Sequence, residues 1–287
     1  MKNNPLKKIF YLFSILLLVF PQYDYAKTKK GKLVIIGGDE KLDVLERFVK
    51  LAGGDKAQIV IFPMASSIPE TVGLDYENRF KKLNANAFYL NINQAEANSD
   101  TMVSKIKNVT GVFFSGGDQV KLMEALRNTK IEKEIKEIFL NGGIIGGTSA
   151  GAAVMSEVMI TGNEILNKDS NNYFHTIVKG NVETKEGFGF VTNAIIDQHF
   201  VVRKRHNRLI SVVLENPNLI GIGIDEATGI IISPNNTFEV IGKSLVFVYD
   251  ATSAKEISIG EEGTASAKNI KMTILKSGDV FKMKNIK

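Results

Sequence analysis

Residues 31–148 alternate short apolar runs with segments of helical spacing, and this alternation limits the chain to a few folds. The apolar runs span residues 33–36, 58–62, 87–90, 111–114 and 142–145, and the helical segments span residues 42–52, 76–83, 101–107 and 121–140. Runs that are apolar on both faces are typical of parallel strands buried under helices. The pattern therefore predicts an α/β fold with a mostly parallel sheet that is covered on both sides.

The C-terminal part of the chain has a different pattern. Short β-like runs lie at residues 230–232, 237–241, 244–249 and 269–274, with turn residues between them. This spacing predicts an antiparallel extension of the sheet. No linker-like stretch divides the chain, so residues 27–287 are predicted to form a single domain. The polar stretch at residues 165–186 is expected to be a long excursion near the site, with His175 as a surface residue.

The sequence Gly147-Thr148-Ser149-Ala150-Gly151 follows the apolar run 142–145 and precedes a helical segment from about residue 152. It matches the G-x-S-x-G nucleophile elbow, in which a serine projects from a tight strand-to-helix turn. Small neighbours let the substrate approach, and the N–H groups of the helix face the reacting oxygen. The alternatives are an ordinary tight turn and a glycine-rich phosphate cradle.

Two other strand ends supply partners for Ser149. The apolar run that starts at residue 194 leads to His199, and the run that starts at residue 221 leads to Glu226. Because the carboxyl ends of parallel strands meet at one edge of a sheet, we expect the three residues to converge as nucleophile, base and orienting acid. The alternatives are a core histidine bonded to Asp197 and a surface acid at position 226.

Glycine pairs end two further apolar runs, at Gly37-Gly38 and Gly116-Gly117. They are expected at the same edge of the sheet. The backbone N–H groups of Ala150 and of Gly117 or Asp118 are predicted to form an oxyanion hole. Gly37-Gly38 also suggests dinucleotide binding, but it lacks the spaced glycines of that fingerprint.

Four basic residues, Arg203, Lys204, Arg205 and Arg208, fall in the first turns of a predicted helix at residues 202–215. Cations at this end oppose the helix dipole, so helix stability does not explain them. Guanidinium groups bind carboxylates bidentately, and the cluster therefore predicts a pocket for acidic substrate groups. The alternative is a solvated basic helix face.

Composition excludes several classes of function. The chain has no cysteine, which removes disulfides, thiolate metal sites and a cysteine nucleophile. We expect neither a metal nor a cofactor. The net charge of +5 falls to +3 without the first 26 residues and is evenly spread, so no nucleic-acid partner is expected.

The N-terminus has the pattern of an export signal over residues 1–26. Three lysines precede an apolar run at residues 9–20, which Pro21 ends. The run is too short to cross a bilayer comfortably, and the protein is therefore predicted to be periplasmic or secreted. Asp24 fits the cleavage rule poorly, and an uncleaved membrane tether is the alternative.

Taken together, the motifs of the candidate site resemble one family of peptidases. The resemblance rests on Gly147-Thr148-Ser149-Ala150-Gly151, Ser115-Gly116-Gly117-Asp118-Gln119, Asp197-Gln198-His199-Phe200 with Arg203, Arg205 and Arg208, and Gly223-Ile224-Asp225-Glu226. These segments are similar to those of the cyanophycinases, serine peptidases related to the aspartyl dipeptidase peptidase E, over about residues 32–250. The resemblance implies a three-layer α/β/α sandwich of the glutamine-amidotransferase type and a Ser149–His199–Glu226 triad. It is compatible with a homodimer, because related enzymes are often dimeric.

The resemblance also implies a substrate and the residues that contact it. Those residues are Gln119, Asp197, Gln198, Arg203, Arg205 and Arg208. The family substrate is cyanophycin, a polyaspartate with arginine on each β-carboxyl, and the product is the β-Asp-Arg dipeptide. The arginines would hold the α-carboxylates, and Asp197 would lie near the substrate guanidinium. The predicted function is a serine exopeptidase acting on β-linked aspartyl peptides; the alternatives are an aspartyl or isoaspartyl dipeptidase and an exported binding protein without turnover.

Overall fold

The computed structural model describes residues 30–166 and 174–284. The predicted export signal and residues 167–173 of the polar stretch lie outside these ranges. Within them, no helix combines the length and the apolar character that crossing a bilayer requires.

The described residues form sixteen strands and seven α-helices. The strands are β1 (Leu33–Ile36), β2 (Gln58–Phe62), β3 (Asn86–Tyr89), β4 (Gly111–Phe114), β5 (Ile144–Thr148), β6 (Val158–Glu164), β7 (Val182–Glu186), β8 (Ala194–Gln198), β9 (Ile220–Ile224), β10 (Thr228–Ile232), β11 (Thr237–Gly242), β12 (Val246–Asp250), β13 (Lys255–Ile259), β14 (Ala265–Lys268), β15 (Lys271–Leu275) and β16 (Val280–Lys282). The helices are α1 (Leu42–Leu51), α2 (Pro69–Lys82), α3 (Asp100–Ile106), α4 (Gln119–Leu126), α5 (Lys130–Leu140), α6 (Ala150–Ala153) and α7 (His206–Glu215).

The main sheet has eight strands in the order β16-β11-β10-β1-β5-β4-β2-β3. Strands β1 to β5 are parallel to one another. Strands β10, β11 and β16 are antiparallel and extend the sheet beyond β1. The predictions of an α/β class, a mostly parallel sheet and an antiparallel C-terminal extension are confirmed.

A second sheet of four strands has the order β15-β12-β9-β8. Strands β8 and β9 are parallel, and β12 and β15 add to them in antiparallel fashion. The expectation that the whole tail extends one sheet is therefore wrong for β12 and β15. Strand β12 supplies hydrogen-bond partners to the edge of β9, which would otherwise be exposed, and β15 does the same for β12.

Alternate residues of β1 show how helices cover both faces of the main sheet. Val34 and Ile36 join a core with α1 and α2 that contains Phe48 and Phe80. Residues 33 and 35 face the opposite core, which includes α4, α5 and one face of the second sheet. Helix α7 packs on the outer face of the second sheet. This arrangement places the loops after β1, β4, β5, β8 and β9 around one region.

The predicted helix at residues 121–140 is two helices, because the chain turns between α4 and α5. Asn128 has a φ of 60°, which a helix does not tolerate. Thr129 caps α5 by accepting a hydrogen bond from the N–H of Glu132, and the Glu132 carboxylate accepts from the N–H of Asn128 at 2.6 Å. Thr129 and Glu132 have the spacing of a capping box, a signal that was present in the sequence, but the carboxylate accepts from the residue before the N-cap.

The polar stretch at residues 165–186 is more regular at its end than expected. Strand β7 pairs with β6 as an antiparallel hairpin. Strand β6 of the hairpin packs beside the start of α4 through its bonds to Gln119, and the position of residues 165–186 near the site stays a prediction.

Candidate active site

Three strand ends bring Ser149, His199 and Glu226 together. Ser149 follows β5, His199 follows β8, and Glu226 lies two residues after β9. Nε2 of His199 is 2.9 Å from Oγ of Ser149, and Nδ1 of His199 is 2.6 Å from Oε1 of Glu226. Both distances allow hydrogen bonds, so the hydroxyl, the imidazole and the carboxylate form one continuous chain of contacts.

The Ser149 backbone has an unusual conformation, with φ of 53° and ψ of −111°. A residue with a side chain adopts such a conformation only where its surroundings hold it. The N–H of Ser149 donates to the carbonyl of Ile36 at 3.0 Å, and the N–H of Gly151 donates to the carbonyl of Ser115 at 3.1 Å. The helix predicted from about residue 152 starts earlier, at Ala150, and lasts a single turn.

The loop after β1 forms the surface on which the His199 ring lies. The N–H of His199 donates to the carbonyl of Gly37 at 2.7 Å, and the N–H of Ala227 donates to the carbonyl of Gly38 at 2.8 Å. A Cβ on Gly38, which has a φ of 122°, would lie 2.2 Å from Cε1 of His199. Only glycine therefore lets the imidazole lie directly against this backbone.

Burial lowers the pKa of His199 below the ordinary value for histidine. The hydrogen bond to Glu226 opposes this shift, whereas the positive charges of Arg203 and Arg205 add to it. The lowered pKa keeps the imidazole neutral near pH 7, which is the form that can accept a proton from serine.

The other two histidines lie elsewhere. His175 is exposed, as predicted. His206 packs against the rings of Phe200 and Phe247, and its Nδ1 lies 2.7 Å from Oη of Tyr249. His199 is therefore the histidine at the elbow.

The loop between β4 and α4 borders the elbow. A Cβ on Gly116 would lie 3.2 Å from Cβ of Ser149. Within residues 30–166 and 174–284, the N–H groups of Gly117 and Ala150 donate to no protein acceptor. These two N–H groups are therefore available for the predicted oxyanion role, with Gly117 as the first of the two alternatives, Gly117 or Asp118.

Asp118 does not match its predicted role as an oxyanion donor. Its N–H donates to the carbonyl of Ala65 at 2.8 Å. Its Oδ1 accepts from the N–H of Val120 at 2.8 Å, so that Asp118 caps α4. The prediction for Asp118 is wrong, because its N–H is already occupied.

The predicted helix at residues 202–215 begins only at His206. The N–H groups of Val201 and Val202 both donate to Oδ1 of Asp225, at 2.9 and 3.0 Å. These bonds hold the chain after β8 in a turn. The basic residues at positions 203–205 therefore lie in that turn and not in the helix.

The basic residues of this turn differ in exposure. Arg203 and Lys204 are exposed, whereas only 15% of the Arg205 side chain is accessible. Nη1 of Arg205 donates to the backbone carbonyl and to Oε1 of Gln198, at 2.8 and 2.6 Å. Burial, helped by the charge of Arg208, lowers the pKa of Arg205 to about 9, and the side chain remains a cation at neutral pH.

Asp197 and Arg208 form a buried ion pair behind the site. Nε of Arg208 donates to Oδ2 of Asp197 at 2.8 Å, and Nη2 of Arg208 donates to the other carboxylate oxygen. The accessible fractions of the two side chains are 0% and 3%. Direct substrate contact by Asp197 and Arg208 is therefore wrong for this arrangement, because each side chain is enclosed and satisfied by the other.

Gln119 is also enclosed, with 5% of its surface exposed. Its Nε2 donates to the carbonyls of Ile160 and Thr161, at 2.8 and 2.5 Å. These bonds attach the β6–β7 hairpin to the start of α4. Of the six residues predicted to contact the substrate, Arg203 and Arg205 are the most accessible to a ligand. Gln119 and Gln198 instead make hydrogen bonds within the protein, to β6 and to Arg205.

The sequence analysis did not identify Glu40, whose carboxylate accepts a hydrogen bond from the residue before Ser149. Its Oε2 accepts from Oγ1 of Thr148 at 2.7 Å, and its Oε1 accepts from Oη of Tyr76 at 2.6 Å and from Nη1 of Arg79 at 2.7 Å. Only 8% of its side chain is accessible. Glu40 thus connects α2 to the residue before Ser149. Its place two residues after Gly37-Gly38, in the loop at a strand end, was the available signal.

Replacing Glu40 with glutamine should lower kcat about ten-fold with little change in KM, because a small displacement of a nucleophile has a large effect on rate. The labelling rate of Ser149 by a fluorophosphonate probe should fall in parallel. Glu46→Gln, an exposed position on α1, is the matched control. A lower melting temperature with unchanged labelling would mean that Glu40 only supports the fold.

In the part of the chain that the structure describes, no group of three or more histidine, cysteine, aspartate or glutamate side chains is suited to a metal ion. The groups around Ser149 are instead a hydroxyl, an imidazole, a carboxylate and two N–H donors. Such a set can activate a serine and stabilise the oxyanion of an acyl-transfer reaction.

Comparison with known proteins agrees with this chemistry. The model of peptidase family S51 matches residues 33–240. A cyanophycinase of Nostoc sp. is 34% identical over 263 residues, which are 88% of this chain and 86% of the relative. A cyanophycinase of Geminocystis herdmanii is 33% identical over 265 residues, which are 89% of this chain and 94% of the relative.

Solved structures share the fold. A peptidase from an acI-B1 actinobacterium has a TM-score of 0.65 at 21% identity and covers 90% of this chain and 98% of its own. A putative peptidase E from Listeria monocytogenes has a TM-score of 0.52 at 16% identity, with coverages of 75% and 100%. The family match and the cyanophycinase relatives together carry the assignment: the chain belongs to peptidase family S51, the family of the cyanophycinases, and is a serine-type peptidase.

Proposed function

We propose that the protein is an exopeptidase that hydrolyses β-linked aspartyl peptides and that cyanophycin is its main substrate. The observation that carries this proposal is the contact chain from Ser149 Oγ through His199 to Glu226, at 2.9 and 2.6 Å. It occurs in a chain whose relatives are named cyanophycinases.

The contacts support a two-step mechanism. Oγ of Ser149 attacks the aspartyl carbonyl while Nε2 of His199 takes its proton, and Glu226 stabilises the imidazolium through Nδ1–H. The N–H groups of Gly117 and Ala150 hold the negative oxygen that forms. His199 then protonates the leaving amine, and an acyl-enzyme remains. A water molecule, deprotonated by His199, hydrolyses the ester and restores Ser149.

The cations beside His199 support an acidic substrate. Each unit of the polymer keeps a free carboxylate, and Arg203 and Arg205 are positioned to bind such groups near the nucleophile. The buried Asp197–Arg208 pair would act indirectly, by fixing the strand and helix that carry Gln198 and Arg205.

The test is incubation of the protein with insoluble cyanophycin, followed by mass spectrometry of the soluble fraction. Release of β-Asp-Arg by the protein, and not by Ser149→Ala, is the expected result. Cleavage of short isoaspartyl peptides without release from the polymer would favour the dipeptidase alternative. No turnover of either substrate, with Ser149 unreactive toward a fluorophosphonate, would favour a binding protein.

The pH profile should report the environment of His199. Because the pKa of His199 is lowered by burial and by Arg203, kcat/KM should rise with pH through a pKa below about 6.5 and then stay level. Arg203→Ala should move this pKa upward, because a nearby positive charge no longer opposes protonation. Lys204→Ala is the matched control. An unchanged profile in Arg203→Ala would contradict the electrostatic coupling.

A further inference from the structure

A groove runs between α4 and the β6–β7 hairpin. Its first segment, of about 250 Å³, is lined by Val120, Glu124, Arg127, Met159, Lys185 and Glu186. A second segment, of about 340 Å³, continues past Arg127 and Glu186, which border both segments. We call the two segments together the α4 groove.

The near end of the α4 groove lies close to the site along the chain. Gln119 bonds to the carbonyls of Ile160 and Thr161 beside the oxyanion loop. Val120 and Met159, the next residues on α4 and on β6, form the near end of the groove. From Val120 to Arg127 the helix rises about 10 Å, which is the length of about three extended residues.

The groove carries charges of both signs. Arg127 pairs with Glu186, and Lys136 pairs with Glu132 at 2.7 Å. Two further lysines and two further glutamates line it: Lys133, Lys185, Glu124 and Glu157. Within residues 30–166 and 174–284, none of these four takes part in an ion pair of 4.0 Å or less.

The polymer has matching chemistry. Each unit of cyanophycin carries one carboxylate and one guanidinium, so its neighbouring units present charges of both signs. An exopeptidase that releases one unit at a time must also accommodate the rest of the chain. A groove with unpaired cations and anions, whose lining residue Val120 lies three residues after Gly117 of the oxyanion loop, meets both requirements.

We propose that the α4 groove binds the units of the polymer that extend beyond the scissile bond, an inference that rests on the proposed function. The unpaired lysines contact the substrate carboxylates, and the unpaired glutamates contact the guanidinium groups. Binding in the groove holds the polymer chain while its terminal unit is cleaved. Because the first segment spans about three extended residues and one further unit is cleaved, cleavage efficiency should rise with chain length up to at least about four units.

The test compares Lys133→Glu/Lys185→Glu with Lys50→Glu/Lys82→Glu, a control with the same change in net charge at exposed positions of α1 and α2. Substrates are soluble chains of two to eight β-Asp-Arg units. For the groove variant, kcat/KM on the longest chain should fall about ten-fold more than on the two-unit chain. The control should show the same ratio as the unmodified protein.

Three outcomes would overturn the proposal. Equal losses on short and long chains would mean that the groove does not bind distal units. If the control loses kcat/KM on long chains relative to short chains as strongly as the groove variant does, the change in net charge, and not the groove, is responsible. If the unmodified protein releases no β-Asp-Arg from any chain, the proposed function and the groove proposal both fail. If the unmodified protein releases β-Asp-Arg and the groove variant has the same dependence on chain length, only the groove proposal fails. Lys185→Ala serves if the double variant does not fold.

Discussion

Replacing Ser149 with alanine should lower kcat by about 10⁴- to 10⁶-fold on every peptide substrate and leave the melting temperature within a few degrees. The rate falls because the attacking oxygen is removed while the oxyanion donors remain. Stability is retained because alanine keeps the same Cβ and the same backbone conformation at φ of 53°. The lost side-chain contact is the one with Nε2 of His199.

The same variant tests whether the residues act as a unit. Ser149→Ala combined with His199→Ala should be scarcely slower than Ser149→Ala alone, because members of a triad are strongly non-additive. Ser104→Ala, at an exposed position on α3, is the control for a serine-to-alanine substitution outside the site. Normal turnover in Ser149→Ala would remove Ser149 as the nucleophile, whereas multiplied losses in the double variant would mean that Ser149 and His199 act independently.

The arrangement at the strand ends could be predicted because it follows from chain direction. Parallel strands place their carboxyl ends together, and the apolar runs before Ser149, His199 and Glu226 identify those ends. The convergence of the three residues in the structure agrees with that expectation. Glu40 could have been found by the same rule, since it lies in the loop that follows β1, four residues after Ile36.

Other features depend on packing between distant segments, which local patterns do not reveal. The bond between Glu40 and Thr148 joins positions 108 residues apart. Whether the N–H of Asp118 is available depends on Ala65, which lies in another loop. The sequence also shows Arg208 as one of four similar cations, and only tertiary packing pairs it with Asp197.

Backbone strain is the second reason that the site is hard to predict. Five residues with side chains have positive φ in the loops of the site: Asp39 at 44°, His199 at 48°, Lys204 at 52°, Ser149 at 53° and Ala227 at 54°. Each costs about 1–3 kcal/mol, so propensity argues against the conformations that the site requires. The hydrogen bonds between these loops hold them in place, for example from Ala227 to Gly38. Where several loops meet, the hydrogen bonds between them therefore outweigh the φ preferences of the individual residues.

Replacing Arg208 with alanine should lower the free energy of unfolding by about 3–5 kcal/mol, because it leaves the Asp197 carboxylate buried without its partner. The accessible fraction of the Asp197 side chain is 0%, so its carboxylate has no contact with bulk water in the intact protein. Chemical denaturation measures the loss. Asp197→Leu combined with Arg208→Met should be more stable than Arg208→Ala, because a buried apolar pair leaves no charge uncompensated.

Activity separates this structural role from substrate binding. At a temperature where Arg208→Ala is folded, its losses on acidic and on neutral peptides should be similar, because Arg208 is enclosed and acts through Asp197. Arg203→Ala is the matched comparison, since Arg203 is exposed beside His199. It should retain stability and lose activity selectively on acidic peptides. A stable Arg208→Ala variant with a selective loss on acidic peptides would instead mean that Arg208 leaves Asp197 to bind the substrate.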